Sequence, residues 1–265
     1  MSDDMTTKPG PDMRESLQQY TPARVSLGHV GPAIPIHAQL RFQLDHALAR
    51  DAVHAQLDVT AMLQGLRQRQ LECLALQSAV ADEPGGGRQL YLRRPDLGRT
   101  LHPDSRQTLL HSSASTMKNP DVVFVIADGL SAIAVERHAL PLLDEATRIL
   151  FPGRWNLGPI CVVSQGRVAI GDEIGDLLRA KLSILFIGER PGLSACDSLG
   201  VYITWDPRPG RTDAERNCIS NIRHEGLSYT DAARRLGFYL DGAKRLQATG
   251  VALKESISSS EKTLT

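Results

Sequence analysis

The sequence predicts an α/β fold, a parallel sheet covered by helices, on three observations. Near-continuous apolar runs of strand length stand at "DVVFVIADG" (121–129), "PICVVS" (159–164) and "LSILFIG" (182–188). Strands buried on both faces read this way, and burial on both faces is the habit of parallel sheets. Between the runs lie segments whose apolar residues recur at helical spacing, so strand and helix alternate. Loops beyond the carboxyl ends of such strands converge on the usual ligand crevice. "ADGLS" (127–131) and "GERPGL" (188–193) both fall there.

The elements follow in chain order. Residues 1–18 are polar, broken by Pro9-Gly10-Pro11, and expected to be a disordered tail. "ARVSLGHVGPAIPIHAQ" (23–39) mixes Gly and Pro with branched residues and reads as an extended arm. From His37 to Arg50, Leu40, Leu44, Ala47 and Leu48 share one helical face. "LECLALQS" (71–78) and "QLYL" (89–92), joined across the triplet Gly85-Gly86-Gly87, are expected to make a small hairpin. Pro103 suits the first turn of a helix in which Leu110, Ala114 and Met117 recur. A helical stretch with Ile133, Leu140 and Leu143 follows the first apolar run. Ile170, Ile174, Leu177 and Leu178 make another stripe, with Asp172, Glu173 and Asp176 early and Arg179 and Lys181 late, as a helix dipole favours. "VYITW" (201–205) is a fourth strand of this region. Ala232, Leu236, Leu240 and Ala243 mark a last helix, opened by "SYTD" (228–231) and closed by Gly250.

Composition narrows the function. The 30 basic and 30 acidic side chains cancel, which speaks against nucleic acid as the main partner. An apolar stretch approaching the roughly 20 residues that span a bilayer is missing, so no membrane partner is expected. Cys73, Cys161, Cys196 and Cys218 fit no zinc spacing and suit a reducing cytoplasm. His29, His37, His46 and His54 do not pair on one helical face, so no metal ligand is assigned. Neither dinucleotide, P-loop, zinc-protease nor serine-elbow motifs occur. The chain carries no complete catalytic set, and no residue is assigned a catalytic role.

Read from the residues alone, Gly188 lets a ligand approach the backbone, Glu189 offers acceptors and Pro191 stiffens the turn that aims them. The plainer reading of Glu189-Arg190 is a solvated ion pair flanking a turn. Asp128 serves as a turn or helix cap, and Cys218 as a small buried residue, on the same plain terms.

Six blocks in order change the weighting: "LRFQLDHALARDAV" (40–53), "LYLRRPDLGRTL" (90–101), "NPDVVFVIADGLS" (119–131), "GRVAIGDEIGDLLRAK" (166–181), "GERPGLSACDSLG" (188–200) and "RNCISNI" (216–222). Together they resemble the small (light) subunit of ethanolamine ammonia-lyase over residues 20–250. The resemblance implies the small subunit of an adenosylcobalamin-dependent lyase that converts ethanolamine to acetaldehyde and ammonia. The large, barrel-shaped subunit holds the substrate and its chemistry. The small one binds cobalamin at the interface, in a multimer of large–small pairs. It implies a Rossmann-like parallel sheet flanked by helices, preceded by a smaller, mainly helical N-terminal part. The divisions expected are a tail (1–18), an arm and helical part (19–98), a Rossmann-like α/β cobalamin-binding domain (99–253) and a flexible tail (254–265).

Carried over, the family's cobalamin contacts fall on Val168, Glu189 and Cys218. Asp128, Arg190 and Asn221 are further candidates in the same loops. The string D-x-H-x-x-G, which supplies a histidine to cobalt in some mutases, does not occur, so base-on binding without a protein metal ligand is implied. The arm departs from the family in having His29 where it carries arginine. The N-terminal tail lacks the amphipathic helix that sends some relatives into a bacterial microcompartment, so a cytoplasmic place is expected. The rival reading is a stand-alone α/β small-molecule binder with no catalytic partner.

Overall fold

A computed structural model describes residues 27, 30–115, 119–150 and 155–253. The expected tails, His29 and Met117 lie outside the described residues. In chain order the elements are α1 (Ile36–His54), α2 (Val59–Gln68), β1 (Cys73–Gln77), α3 (Arg88–Arg93), α4 (Pro103–Ser115), β2 (Val122–Ala127) and α5 (Ala132–Leu150). There follow β3 (Ile160–Ser164), α6 (Ile170–Leu177), β4 (Leu182–Gly188), β5 (Leu199–Trp205), β6 (Arg216–Ile222) and α7 (Tyr229–Leu246).

The fold is mixed α/β, with one six-stranded sheet in the order β1-β3-β2-β4-β5-β6. The parallel arrangement expected from the apolar runs holds for β1, β3, β2 and β4. It stops there: β5 returns antiparallel to β4, and β6 antiparallel to β5. The segment between Gly188 and Leu199 is too short for a helical crossover, so the chain turns back on itself.

Both faces of the sheet are covered. Phe124, Ile126, Ile184, Phe186, Val201 and Ile203 pack against α2, α5 and α7. Val123, Val125, Cys161, Val163 and Leu185 pack against α4 and α6. Every residue of β2 and of β4 is buried, which accounts for their unbroken apolar sequence.

Several expectations need correcting. "LECLALQS" and "QLYL" do not form a hairpin: β1 pairs in parallel with β3, and Arg88–Arg93 is a helix. The glycine triplet instead feeds that helix, with Gly85 at φ 74° and Gly87 at φ 149°. In α4 the core-facing residue is Leu109, fully buried, while Leu110 is exposed. Asp172 and Glu173 are more than dipole partners: both are buried, Asp172 pairing with Arg216 and Glu173 with Arg106 and the Leu101 amide. Ser228 caps α7 as expected, but the helix ends at Leu246, where Gln247 turns left-handed, before Gly250. "RNCISNI" is strand β6 rather than loop, and Cys218 is exposed on it rather than buried. In α1, the face carrying Leu40, Leu44 and Leu48 points away from the body.

Candidate functional site

The chain leaves β2 toward β3 through α5, then crosses back over β2 to β4 through α6. The switch point of the sheet therefore lies between β2 and β4, flanked by Asp128 and Glu189. The two exit loops are in contact: Leu130 N donates to Gly188 O at 2.9 Å. A Cβ at Gly188 would sit 2.0 Å from Ser131 O, and one at Gly129 2.4 Å from Gly188 O. Gly188 is thus required by the packing of its own loops, and the space expected to admit a ligand there is filled by backbone.

Glu189 spans three strands. It leaves β4, its side chain crosses Gly200 of β5, and it reaches the end of β6. A Cβ at Gly200 would lie 3.0 Å from Glu189 Oε1 and 3.1 Å from its Cγ, so glycine gives the carboxylate room to lie close against the sheet. Its Oε2 accepts from the Ser198 hydroxyl and from Asn221 N at 3.2 Å. Asn221 is held at φ 60°, a left-handed conformation that Asn tolerates better than most residues. Glu189 is therefore bonded to Ser198 and Asn221 rather than to Arg190, which overturns the simple ion-pair reading. Oε1 accepts no hydrogen bond among the described residues.

Cys218 pairs in register with Tyr202 of the neighbouring strand, and the two side chains share the face of the sheet that α6 covers farther in. Over β5 and β6 that cover thins: Tyr202 is half-buried, and Cys218 and Ser220 are exposed. Val168, in the loop entering α6, and Tyr202 both pack, partly buried, at the rim of the same core cluster. Burial raises the Tyr202 phenol, and the strand around the Cys218 sulfur desolvates and raises that thiol although the residue as a whole is exposed; the neighbouring Glu189 charge pushes each further up. Cys218 Sγ also lies 3.2 Å from Ser220 Oγ. The structure thus places Glu189 and Cys218 on one side of β5 and β6, while Val168 packs against the same apolar cluster as Tyr202.

A second, buried cluster supports this rim. Arg88 donates to Asp128 Oδ2 at 3.2 Å and to Gly129 O at 2.9 Å, while its Nε reaches Val53 O at 2.7 Å. Asp128 also accepts from Gly166 N at 3.2 Å, which fixes the loop leading to Val168. Burial drives its carboxyl up to about 6 against the pull of Arg88. Tyr91 lies between the guanidinium groups of Arg88 (4.9 Å) and Arg167 (4.3 Å) and donates to Gly166 O at 2.9 Å. Arg167 is lowered by burial, with the Arg88 and Arg190 charges adding to the effect.

The residues missed from sequence are Ser198, Gly200, Tyr202, Arg88 and Tyr91. Ser198 and Gly200 stood inside the quoted "GERPGLSACDSLG", and the alternation of "VYITW" put Tyr202 on one face. Nothing local marked Arg88, whose partners lie 35 to 41 positions away. Among the described residues, no three His, Cys, Asp or Glu side chains gather as a metal site, and no helix is long and apolar enough to cross a membrane.

Comparison with known proteins identifies the family. The family model of the ethanolamine ammonia-lyase light chain matches residues 11–254. An ethanolamine ammonia-lyase small subunit of Pseudomonas aeruginosa (strain LESB58) is 53% identical over 239 residues, covering 90% of this chain and 86% of that one. Proteins of the same name from Azotobacter vinelandii (51%; 91% and 87% covered) and Xanthomonas campestris pv. campestris strain ATCC 33913 (48%; 94% and 90%) are similar over comparable spans. With its length matched nearly end to end and half its positions shared, the chain belongs to the ethanolamine ammonia-lyase light-chain family.

Proposed function

We propose that this chain is the cobalamin-holding small subunit of ethanolamine ammonia-lyase, paired with a larger catalytic chain in a multimer of such pairs. The single observation that carries the cofactor assignment is the unshared Oε1 of Glu189, lying on a strip of sheet faced by Gly200 and Cys218. The edge of a corrin carries carboxamides, which donate N–H to a carboxylate, and its ring is large and flat. Small side chains at Gly200 and Cys218 suit close approach of such a plate. The chemical character of these residues therefore fits the group.

When bound, adenosylcobalamin supplies a radical by homolysis of its cobalt–carbon bond. The part left to this chain is positional. Glu189 would accept a carboxamide proton donor, held rigid by Ser198 and Asn221. Val168 and Cys218 would fill the space beside the plate and keep water from it. The absence of a catalytic set from this sequence agrees with chemistry performed on the partner. In this reading the sheet is Rossmann-like in its parallel half, residues 99–253 form the cobalamin-binding domain, and the free thiols of Cys73, Cys161, Cys196 and Cys218 suit the cytoplasm.

The test uses the pair of chains. Wild type is expected to retain adenosylcobalamin, seen by absorbance, and to form acetaldehyde from ethanolamine. Glu189→Gln preserves shape but turns an N–H toward the donor; losing one charge-assisted hydrogen bond should weaken cobalamin binding about 10-fold or more. Cys218→Trp should block binding by bulk. Unchanged retention in both variants would refute the assignment.

A further inference from the structure

We infer that the outer face of α1 is the surface on which the larger chain docks; this rests on the two-chain reading above and names one contact it uses. α1 is built inside out. Small residues, Ala38 and Ala52, face the body and are buried. Large aliphatics face outward: Ile36 is 75% exposed, Leu40 59%, Leu44 54% and Leu48 47%. At four-residue spacing they form one stripe about 18 Å long. Helices that are apolar on both sides are normally covered on both sides, and a contiguous exposed aliphatic stripe marks an interaction surface.

The position of the stripe points to its occupant. Leu48 and Asp45 line a cavity of about 250 Å³ together with Leu193, Cys196, Asp197 and Arg223. The loop that follows β4 (Leu193 to Asp197) and the turn that follows β6 (Arg223 to Glu225) complete this cavity, so the Leu48 end of the stripe adjoins the loops that leave those two strands. The far end of α1 is tied to the same rim, since Arg88 bonds both Val53 O and Asp128. A partner that covers the loops leaving β4 and β6 is therefore presented with α1 as the adjoining apolar surface. The terminal segments of this chain are poor alternatives: residues 1–26 contain two Leu, Ile or Val (Leu17 and Val25), and residues 254–265 contain two (Ile257 and Leu264). An aliphatic partner surface is the chemistry that matches.

The experiment measures binding of the purified large subunit of the enzyme to the full-length small subunit by biolayer interferometry. Leu40→Glu/Leu44→Glu is expected to lower affinity about 100-fold, because two buried aliphatics are lost and charges enter the contact. Leu40→Ala/Leu44→Ala should lose less and keeps helix propensity, and Leu110→Glu, on exposed α4 surface, should change nothing. A far-UV melt guards against misfolding; the stripe is exposed, so the midpoints should stay near wild type. Equal binding by wild type and Leu40→Glu/Leu44→Glu overturns this inference alone. Failure of wild type to bind the large subunit overturns the two-chain reading as well. Sedimentation that shows self-association lost in the double variant, with large-subunit binding intact, assigns the face to a second copy and also overturns it.

Discussion

Glu189→Ala separates the mechanical role of this residue from any ligand. In the structure the carboxylate takes the Ser198 hydroxyl and the Asn221 amide, the latter at 3.2 Å, and so ties the exit of β4 to the end of β6 across β5. Hydrogen bonds to charged groups contribute about 1.5–3 kcal/mol each when well buried. Glu189 is only half-buried, and the two bonds share one oxygen, so a joint loss of about 2 kcal/mol is the reasonable figure. Asn221 would also lose the bond that holds its amide in a left-handed turn. At this chain length about 2 kcal/mol lowers the melting midpoint by about 4–8 °C. The assay is thermal unfolding of the chain without cofactor, followed by circular dichroism. Ser198→Ala should show about half the drop, and Glu189→Gln, which keeps an acceptor, less than Glu189→Ala. A Glu189→Ala midpoint within about 1 °C of wild type would refute the three-strand tie.

Three other outcomes follow from buried groups. The Asp128 carboxyl is raised from 3.8 to about 6, so the folded state holds this proton more tightly than the unfolded chain. That contribution is complete below about pH 4 and disappears as pH rises through 6, with a ceiling of about 3 kcal/mol. Urea unfolding across pH 4–7 should show the stability of wild type relative to Asp128→Asn rising as pH falls; a constant gap would contradict it. Tyr91→Phe leaves Gly166 O without its buried donor and should cost about 1–2 kcal/mol in the same assay, with no loss meaning that water takes the place of the hydroxyl. Asp172→Ala leaves Arg216, whose side chain is 3% exposed, with Asp213 as its one remaining carboxylate at 2.8 Å, and should cost about 2 kcal/mol. Burial raises Asp172 despite that pairing, so the joint replacement Asp172→Leu/Arg216→Met should unfold closer to wild type than Asp172→Ala does.

What was legible in the sequence follows burial. β2 and β4 are enclosed on both faces, and enclosure leaves an unbroken apolar run that composition reveals. β6 was not legible as a strand, because "RNCISNI" lies at the edge of the sheet with polar residues on one side. The direction of β5 was hidden for a different reason: strand polarity is decided by connection length and partner, not by residue type. The α1 stripe was legible as a shared helical face but its exposure was not, since spacing reports a common face without saying what covers it. The same limit applies at the site. "GERPGLSACDSLG" named Glu189 as notable, but its bonds to Ser198 and Asn221 and its rest over Gly200 depend on three strands meeting. Arg88 depends wholly on tertiary distance, with partners from Val53 to Gly129.

The antiparallel return of β5 and β6 carries one more consequence. A parallel strand must be reached by a crossover, and that crossover brings a helix to roof the sheet. Reversing direction after β4 dispenses with the roof, so Cys218 and Ser220 stay open without any inserted loop to hold them open. The exposed strip of β6 is thus inherited from the path of the backbone. Point mutations can line it differently, but only a rerouted chain could close it.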